Sequence, residues 1–169
     1  MTLWLQRDAL LVDSMPLTFR AADIDDYPAI EKLVIDSFEP ITWQKKLDAK
    51  LGPLNGRDWR QRWQARLRHV FQTQIVLLGH MDGALCGVAT MTVDRESALA
   101  FIDILAIGRS FQGHGLGREM LRATIEQVRD LGCHYVHLDC LTDNDTANAL
   151  YGSEGFEEVA RHIRWFKKL

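Results

Sequence analysis

The first residues in this chain whose types and spacing suggest chemistry are glycines. In Gly108-Arg-Ser-Phe-Gln-Gly-His-Gly-Leu-Gly-Arg118, Gly113, Gly115 and Gly117 stand at alternate positions, just after an apolar run and just before a long amphipathic one. Glycine has no Cβ, so successive backbone N–H groups can turn toward one point and close around an anion. A helix beginning there adds its unpaired first N–H groups and the positive end of its dipole. The pattern predicts a phosphate cradle made of main chain, over Gln112, Gly113, His114, Gly115, Leu116 and Gly117. Two familiar phosphate loops are excluded. The nucleotide-hydrolase loop ends in Gly-Lys-Ser/Thr, whereas Gly117 is followed by Arg118-Glu119. In the dinucleotide fingerprint the third glycine lies three residues after the second, and here it lies two after. A tight turn that uses its glycines only for backbone freedom remains open.

Asp103 is the second candidate. It sits inside the apolar run Leu99-Ala-Phe-Ile-Asp-Ile-Leu-Ala-Ile107, where an unpaired carboxylate is costly. Either it accepts a proton from a reacting group, or it pairs with an arginine or caps a loop. Cys133-His-Tyr-Val-His-Leu-Asp-Cys140 invites a metal reading. Strand alternation, however, puts Cys133, His137 and Asp139 on one side and His134 and Cys140 on the other. One ion cannot readily gather four such ligands, so no metal is expected.

These residues need positioning elements. Met15-Pro-Leu-Thr-Phe-Arg-Ala-Ala-Asp23 reads as a first strand, with residues 1–15 as an N-terminal extension and 16–169 as a single domain. Asp23 or Asp25 caps a helix that tolerates Pro28 in its first turn and carries Ile30, Leu33, Val34 and Phe38 on one face. Gly52-Pro-Leu-Asn-Gly56 is a loop by composition. Asp58 to Phe71 is a second helix with Trp59, Trp63, Leu67 and Val70 as its apolar stripe. Its arginines, Arg60, Arg62, Arg66 and Arg68, form either a solvated face or a seat for an acidic group. Gln74–Met81 and Ala84–Val93 flank Asp82-Gly83, a hairpin signal. With the Leu99–Ile107 run they make three consecutive antiparallel strands. The helix after the glycine loop carries Leu116, Met120, Thr124 and Val128, and Gly132 is placed to end it. His134–Leu141 is a strand parallel to Leu99–Ile107, through a right-handed crossover. A short helix runs from Asn144 to about Glu154, and Phe156–Lys168 is expected to form a final pair of strands or one bent strand. The fold class is α/β: a mixed, mostly antiparallel sheet with helices on both faces.

Composition sets bounds. At 169 residues with 47% hydrophobic and 25% charged side chains, one ordinary globular core is expected. A net charge of −3 gives no general reason to expect nucleic acid or an anionic membrane as a partner. No apolar run nears the roughly 20 residues that span a bilayer, and the start of the chain lacks a signal-peptide pattern. Three scattered cysteines point to a reducing, cytoplasmic setting.

Three separated pieces together carry a resemblance. Gln112, Gly115 and Gly117 meet the pattern Gln-x-x-Gly-x-Gly. Asn144, Ala147, Leu150, Tyr151, Gly155 and Phe156 meet Asn-x-x-Ala-x-x-Leu-Tyr-x-x-x-Gly-Phe. Ala100–Ile107 resembles the strand that precedes such a loop. In order and spacing the chain resembles the GNAT N-acetyltransferase superfamily, strongly over 98–156 and by topology over 16–97. The resemblance implies that the strands before and after the loop helix splay apart at a bulge, admitting the pantetheine arm of acetyl-CoA. It implies that Leu105, Ala106 and Ile107 pair with that arm, and that the N–H groups of 112–117 hold the pyrophosphate. Asn144 would bond the arm or a water. Tyr151 stands where the family's usual general acid stands, and Asp103 aligns with a glutamate often used there, one methylene shorter.

The chemistry fits these groups. An amine must lose a proton before attacking a thioester carbonyl, and a carboxylate or histidine can take it, directly or through water. Asp103 is the leading candidate, with His134 and His137 behind it. A backbone N–H can hold the oxyanion. A phenol, with a pKa of about 10, can protonate a thiolate of about 8.5. The reading is therefore direct acetyl transfer from acetyl-CoA to a primary amine, a small molecule in preference to a protein, with no acyl-cysteine. The alternatives are a non-catalytic acyl-CoA-binding or regulatory domain, and a transferase for longer acyl groups. Exposed strand edges and tryptophans leave a homodimer open.

Overall fold

The computed structural model describes residues 16–169, so the extension expected over 1–15 lies outside the described residues. Five strands form one sheet in the order β1 (Thr18–Ala21), β2 (Ile75–Met81), β3 (Ala84–Asp94), β4 (Leu99–Ile107) and β5 (Tyr135–Leu138). Every pairing is antiparallel except β4 with β5, which is parallel. Asp82 and Gly83 adopt φ of 49° and 77°, the left-handed pair that matches a two-residue hairpin to the sheet's twist. No helix among the described residues is long and apolar enough to cross a membrane.

One face of the sheet carries α1 (Tyr27–Phe38) and α3 (Trp59–Thr73). Asp58 caps α3 through a reciprocal box with Gln61. Trp59, Trp63, Leu67 and Val70 are all buried beneath it, against Val34, Leu78, Val88 and Ile104. Burying four such side chains contributes on the order of 10 kcal/mol, against about 1 kcal/mol for a cap. Packing therefore sets where this helix lies. The other face carries α4 (Leu116–Asp130), which buries Met120 and Val128 against Leu77, Ala89 and Met91. A helix α2 (Trp43–Leu51), absent from the sequence reading, lies between α1 and α3. Its local signals are Thr42, whose side chain accepts from Gln44 N, and Gly52, which closes it at φ 76°.

The β3–β4 ladder contains a bulge. Thr90 faces Ile104 and Met91 faces Ile102, so Asp103 is the extra residue on β4. A bulge puts two neighbours on one face. Here Ala100 packs toward α4 while Ile104 and Ala106 pack toward α1 and α3, so the alternation reverses across Asp103.

The final strands expected over Phe156–Lys168 do not form. After α5 (Asp145–Ser153) no residue pairs with the sheet. The tail instead passes α2, with the Arg164 guanidinium 4.3 Å from the centre of the Trp43 ring. Val159, Ile163 and Trp165 are largely exposed. Alternation within a segment is necessary for a strand, but an edge in register must also be available.

Candidate active site

The β4–β5 ladder is four pairs long, from Leu99↔Tyr135 to Ile102↔Leu138. Beyond it the strands part. The register of β4 against β3, with Gly108 N donating to Cys86 O, turns the peptide groups of Ala106 toward β3 and those of Leu105 and Ile107 toward the open edge. The Ile107 carbonyl is already taken, accepting from Ser37 Oγ at 2.9 Å and Gln112 Nε2 at 2.9 Å. Gln112 thereby ties the end of β4 to the loop, a role its place in the motif did not reveal.

Residues 112–115 are exposed. Gly113 and Gly115 adopt φ of 81° and 79°, and a Cβ on either would meet nothing within 4 Å. The left-handed backbone explains both glycines, and it leaves open space in front of them. The N–H groups of Gly113, His114, Gly115, Leu116 and Gly117 have no acceptor among the described residues. Gly115 is the N-cap of α4 and offers no side-chain cap. Five consecutive free donors at the positive end of a 15-residue helix are suited to a multiply charged anion. This site fits the diphosphate of a coenzyme A.

Asp103, Asn144 and Tyr151 line one cavity of about 370 Å3, together with Asp139, Cys140 and Arg66. A larger hollow of about 430 Å3, between Leu51–Asn55 and the chain end, has no acidic side chain or phenol on its walls. Asp103 is brought into the cavity with its carboxylate committed: Oδ1 lies 2.5 Å from Arg66 Nη2, and Oδ2 accepts from Gln74 Nε2 at 2.9 Å. Arg66 in turn lies over the Trp63 ring. Arg60 pairs with Glu39, and Arg62 with Asp48. These three arginines of α3 are therefore neither a bare solvated face nor an open anion seat.

Asp139 is the acid the sequence reading passed over. It immediately follows β5, is exposed, and has no hydrogen-bond or ion-pair partner among the described residues. Its only early signal was membership of the cysteine–histidine run. His134 and His137 are exposed and do not line the cavity; His137 stacks on Phe101 with centroids 4.8 Å apart. Among the described residues no cluster of metal-ligating side chains occurs.

Tyr151 projects from α5 with its ring edge-to-face on Phe156. Burial pushes its phenol up to about 12, with the nearby Cys140 adding to the rise. The Cys140 thiol is itself raised by burial, so Tyr151 remains a protonated donor across the neutral range. Asn144 caps α5, its Oδ1 accepting from Ala147 N at 3.4 Å. Its side-chain N–H groups have no acceptor among the described residues, and the residue lines the cavity.

A profile of the Acetyltransferase (GNAT) family matches residues 34–156, most of the chain, from α1 through the glycine loop to Tyr151. The chain belongs to the GNAT acetyltransferase family. Over 66 residues it is 35% identical to the N-alpha-acetyltransferase RimI of Mycobacterium tuberculosis, covering 39% of this chain and 40% of that one. The matches span about half or less of the curated relatives: 51% of the N-alpha-acetyltransferase 30 of Dictyostelium discoideum, for example, at 24% identity over 55% of this chain. Among solved structures, the ribosomal-protein-S18-alanine N-acetyltransferase from Escherichia coli superposes with a TM-score of 0.64 at 20% identity, over 86% of this chain and 80% of that chain. At that identity the likeness is one of fold. The GNAT sheet, with its parallel β4–β5 pair and flanking helices, is thus present here.

Proposed function

We propose that this GNAT domain is an acetyl-CoA-dependent N-acetyltransferase that passes the acetyl group directly to a primary amine. The observation that carries this reading is the run of five acceptorless N–H groups at 113–117. It lies beside a strand edge opening into a cavity lined by Asp139, Asn144 and Tyr151. Acetyl-CoA supplies an acyl group activated as a thioester.

The chain's residues then divide the work. The amides of Gly113–Gly117, with the loop braced by Gln112, hold the diphosphate. Leu105 offers its N–H and C=O, and Ile107 its N–H, to the pantetheine arm, while Ala106 keeps β4 bonded to β3. Asn144 donates to the arm or to a water. Asp139 takes the proton from the incoming ammonium: it carries no partner among the described residues, whereas each oxygen of Asp103 already accepts a hydrogen bond and one is ion-paired with Arg66. Asp103 is a positioning residue that fixes Arg66 and the bulge. As the C–S bond breaks, Tyr151 gives its hydroxyl proton to the departing sulfur and is restored by the second proton, which the nitrogen loses as it becomes an amide. Transfer from a phenol at about 12 is uphill toward an ordinary thiolate. A sulfur enclosed in the same gap is also desolvated, which raises its own proton affinity.

A cavity of about 370 Å3 lies near the small end of ligand pockets, which supports a small-molecule acceptor over a protein. Cys86 and Cys133, buried and unbridged, fit a reducing compartment such as the cytoplasm. The reading is tested by incubating the protein with acetyl-CoA and a panel of amines while following free thiol. Amine-dependent release supports it. Coenzyme binding without release from any amine replaces it with the non-catalytic domain, and preference for longer acyl-CoAs replaces acetyl as the group transferred.

A further inference from the structure

The charges lining the cavity are unequally committed. Asp103 is matched by Arg66. Asp139, His162 and Arg164 have no ion-pair or hydrogen-bond partner among the described residues, and all three line the same cavity. Arg164, exposed like its neighbours Ile163 and Trp165, nonetheless contributes to the wall of that cavity.

What holds Arg164 there is Trp43, the first residue of α2, with the guanidinium carbon 4.3 Å from the ring centre. Stacking of this kind fixes the guanidinium plane and leaves its N–H edge free for a planar, two-oxygen acceptor. Trp43 is anchored in turn, because Thr42 caps α2 and accepts from the buried Trp63 Nε1 at 2.9 Å. The cavity thus has a preset cationic fork from the tail and a free carboxylate at the end of β5.

We propose, resting on the acyl-transfer reading above, that the acceptor is a small amine carrying its own carboxylate. Its ammonium faces Asp139, and its carboxylate is gripped by Arg164 on Trp43. One stacked guanidinium matches one carboxylate in charge and shape. The tail is thereby a specificity element and not an unpaired remnant of the sheet.

The experiment compares kcat/KM for amino acids of increasing chain length with their carboxamides and with phosphonate analogues, by thiol release from acetyl-CoA. The acids are expected to exceed their amides by about 10- to 100-fold, as one charge-assisted interaction allows. R164Q is expected to bring that ratio close to one, and R164K to restore part of it. A second reading follows the indole N–H resonance of Trp43, assigned with W43F, as acids and amides are titrated in the presence of coenzyme A. The acids should shift it and the amides should not. Turnover with no preference for acids, a ratio unaltered in R164Q, or a preference for phosphonates overturns the carboxylate assignment and leaves acyl transfer standing. A Trp43 response to acids with no thiol release from any amine keeps the carboxylate site and overturns acyl transfer instead. A silent Trp43 together with no release overturns both.

Discussion

Asp103 on β4 and Asp139, directly after β5, are the first residues beyond the last paired position, Ile102↔Leu138. Continuing the parallel ladder one step would set two carboxylates side by side in the sheet. Like charges facing each other across strands are destabilising, and an apolar surrounding makes this worse. The sheet opens where its own sequence penalises closure, and the cavity forms there. One acid is neutralised by Arg66; the other stays free.

The two acids should therefore respond differently. D139N is expected to lower kcat/KM by about 100-fold or more, within the range for loss of a general base. D103N should keep kcat/KM within about tenfold but lose about 2 kcal/mol of stability, since Arg66 loses a charged acceptor. Chemical denaturation and turnover of both variants check this. Loss of turnover confined to D103N would assign the base to Asp103.

Tyr151→Phe is expected to reduce kcat by about 100-fold or more while leaving coenzyme affinity within about twofold. Its phenol has a distinct pH signature. Burial raises the folded-state value from 10.0 to about 12, so between those pH values the unfolded chain gives up this proton more readily. The stability it contributes is whole below pH 10 and is lost as pH rises through about 12. Ultraviolet titration of phenolate absorbance, wild type against Y151F, should show one late-titrating tyrosine missing from the variant.

Thr42 joins the helix that the sequence reading missed to the core. Its Oγ accepts from Trp63 Nε1 and from Gln44 N. Thr42→Val should cost about 3 kcal/mol, combining an unpaired buried indole N–H with a lost cap. A melting curve and the fluorescence of the variant test this, and a change below about 1 kcal/mol would show that α2 is held elsewhere.

What could be read in the chain beforehand follows the range of the interactions involved. The glycine loop and α4 were legible because their signals are local: alternate glycines, then an apolar stripe at Leu116, Met120, Thr124 and Val128 that is indeed buried. The stripe of α3 and the Asp82-Gly83 hairpin were legible for the same reason. The partner of Asp103 was not, since Arg66 stands 37 positions away and reaches it only through the fold. Asp103 was read as a residue needing either a partner or a task, and the structure supplies the partner. Nothing local marks Asp139, which stands in a cysteine–histidine run whose residue types suggest a metal ligand before a base. Helix α2 was missed although Thr42 and Gly52 bracket it as cap residues, because Lys45, Lys46, Asp48 and Lys50 dilute its apolar stripe. The tail was read as strand from alternation alone, which carries no information about which edge is free to receive it.

Gly115→Val should weaken coenzyme A binding by at least about tenfold, measured by calorimetry. Gly115 holds φ 79° with open space before it, so a side chain there both strains the backbone by about 1–2 kcal/mol and fills the approach to the amides. Affinity unchanged from wild type would count against the cradle.

On the proposed mechanism, coenzyme binding rests on the main-chain amides of 113–117 gripping a diphosphate. This is tested most directly by following the backbone amide resonances as coenzyme A is added. The prediction is that Gly113, His114, Gly115, Leu116 and Gly117 show the largest downfield proton shifts, saturating together with the calorimetric affinity. Saturable binding that leaves those five resonances unmoved while others shift would contradict it.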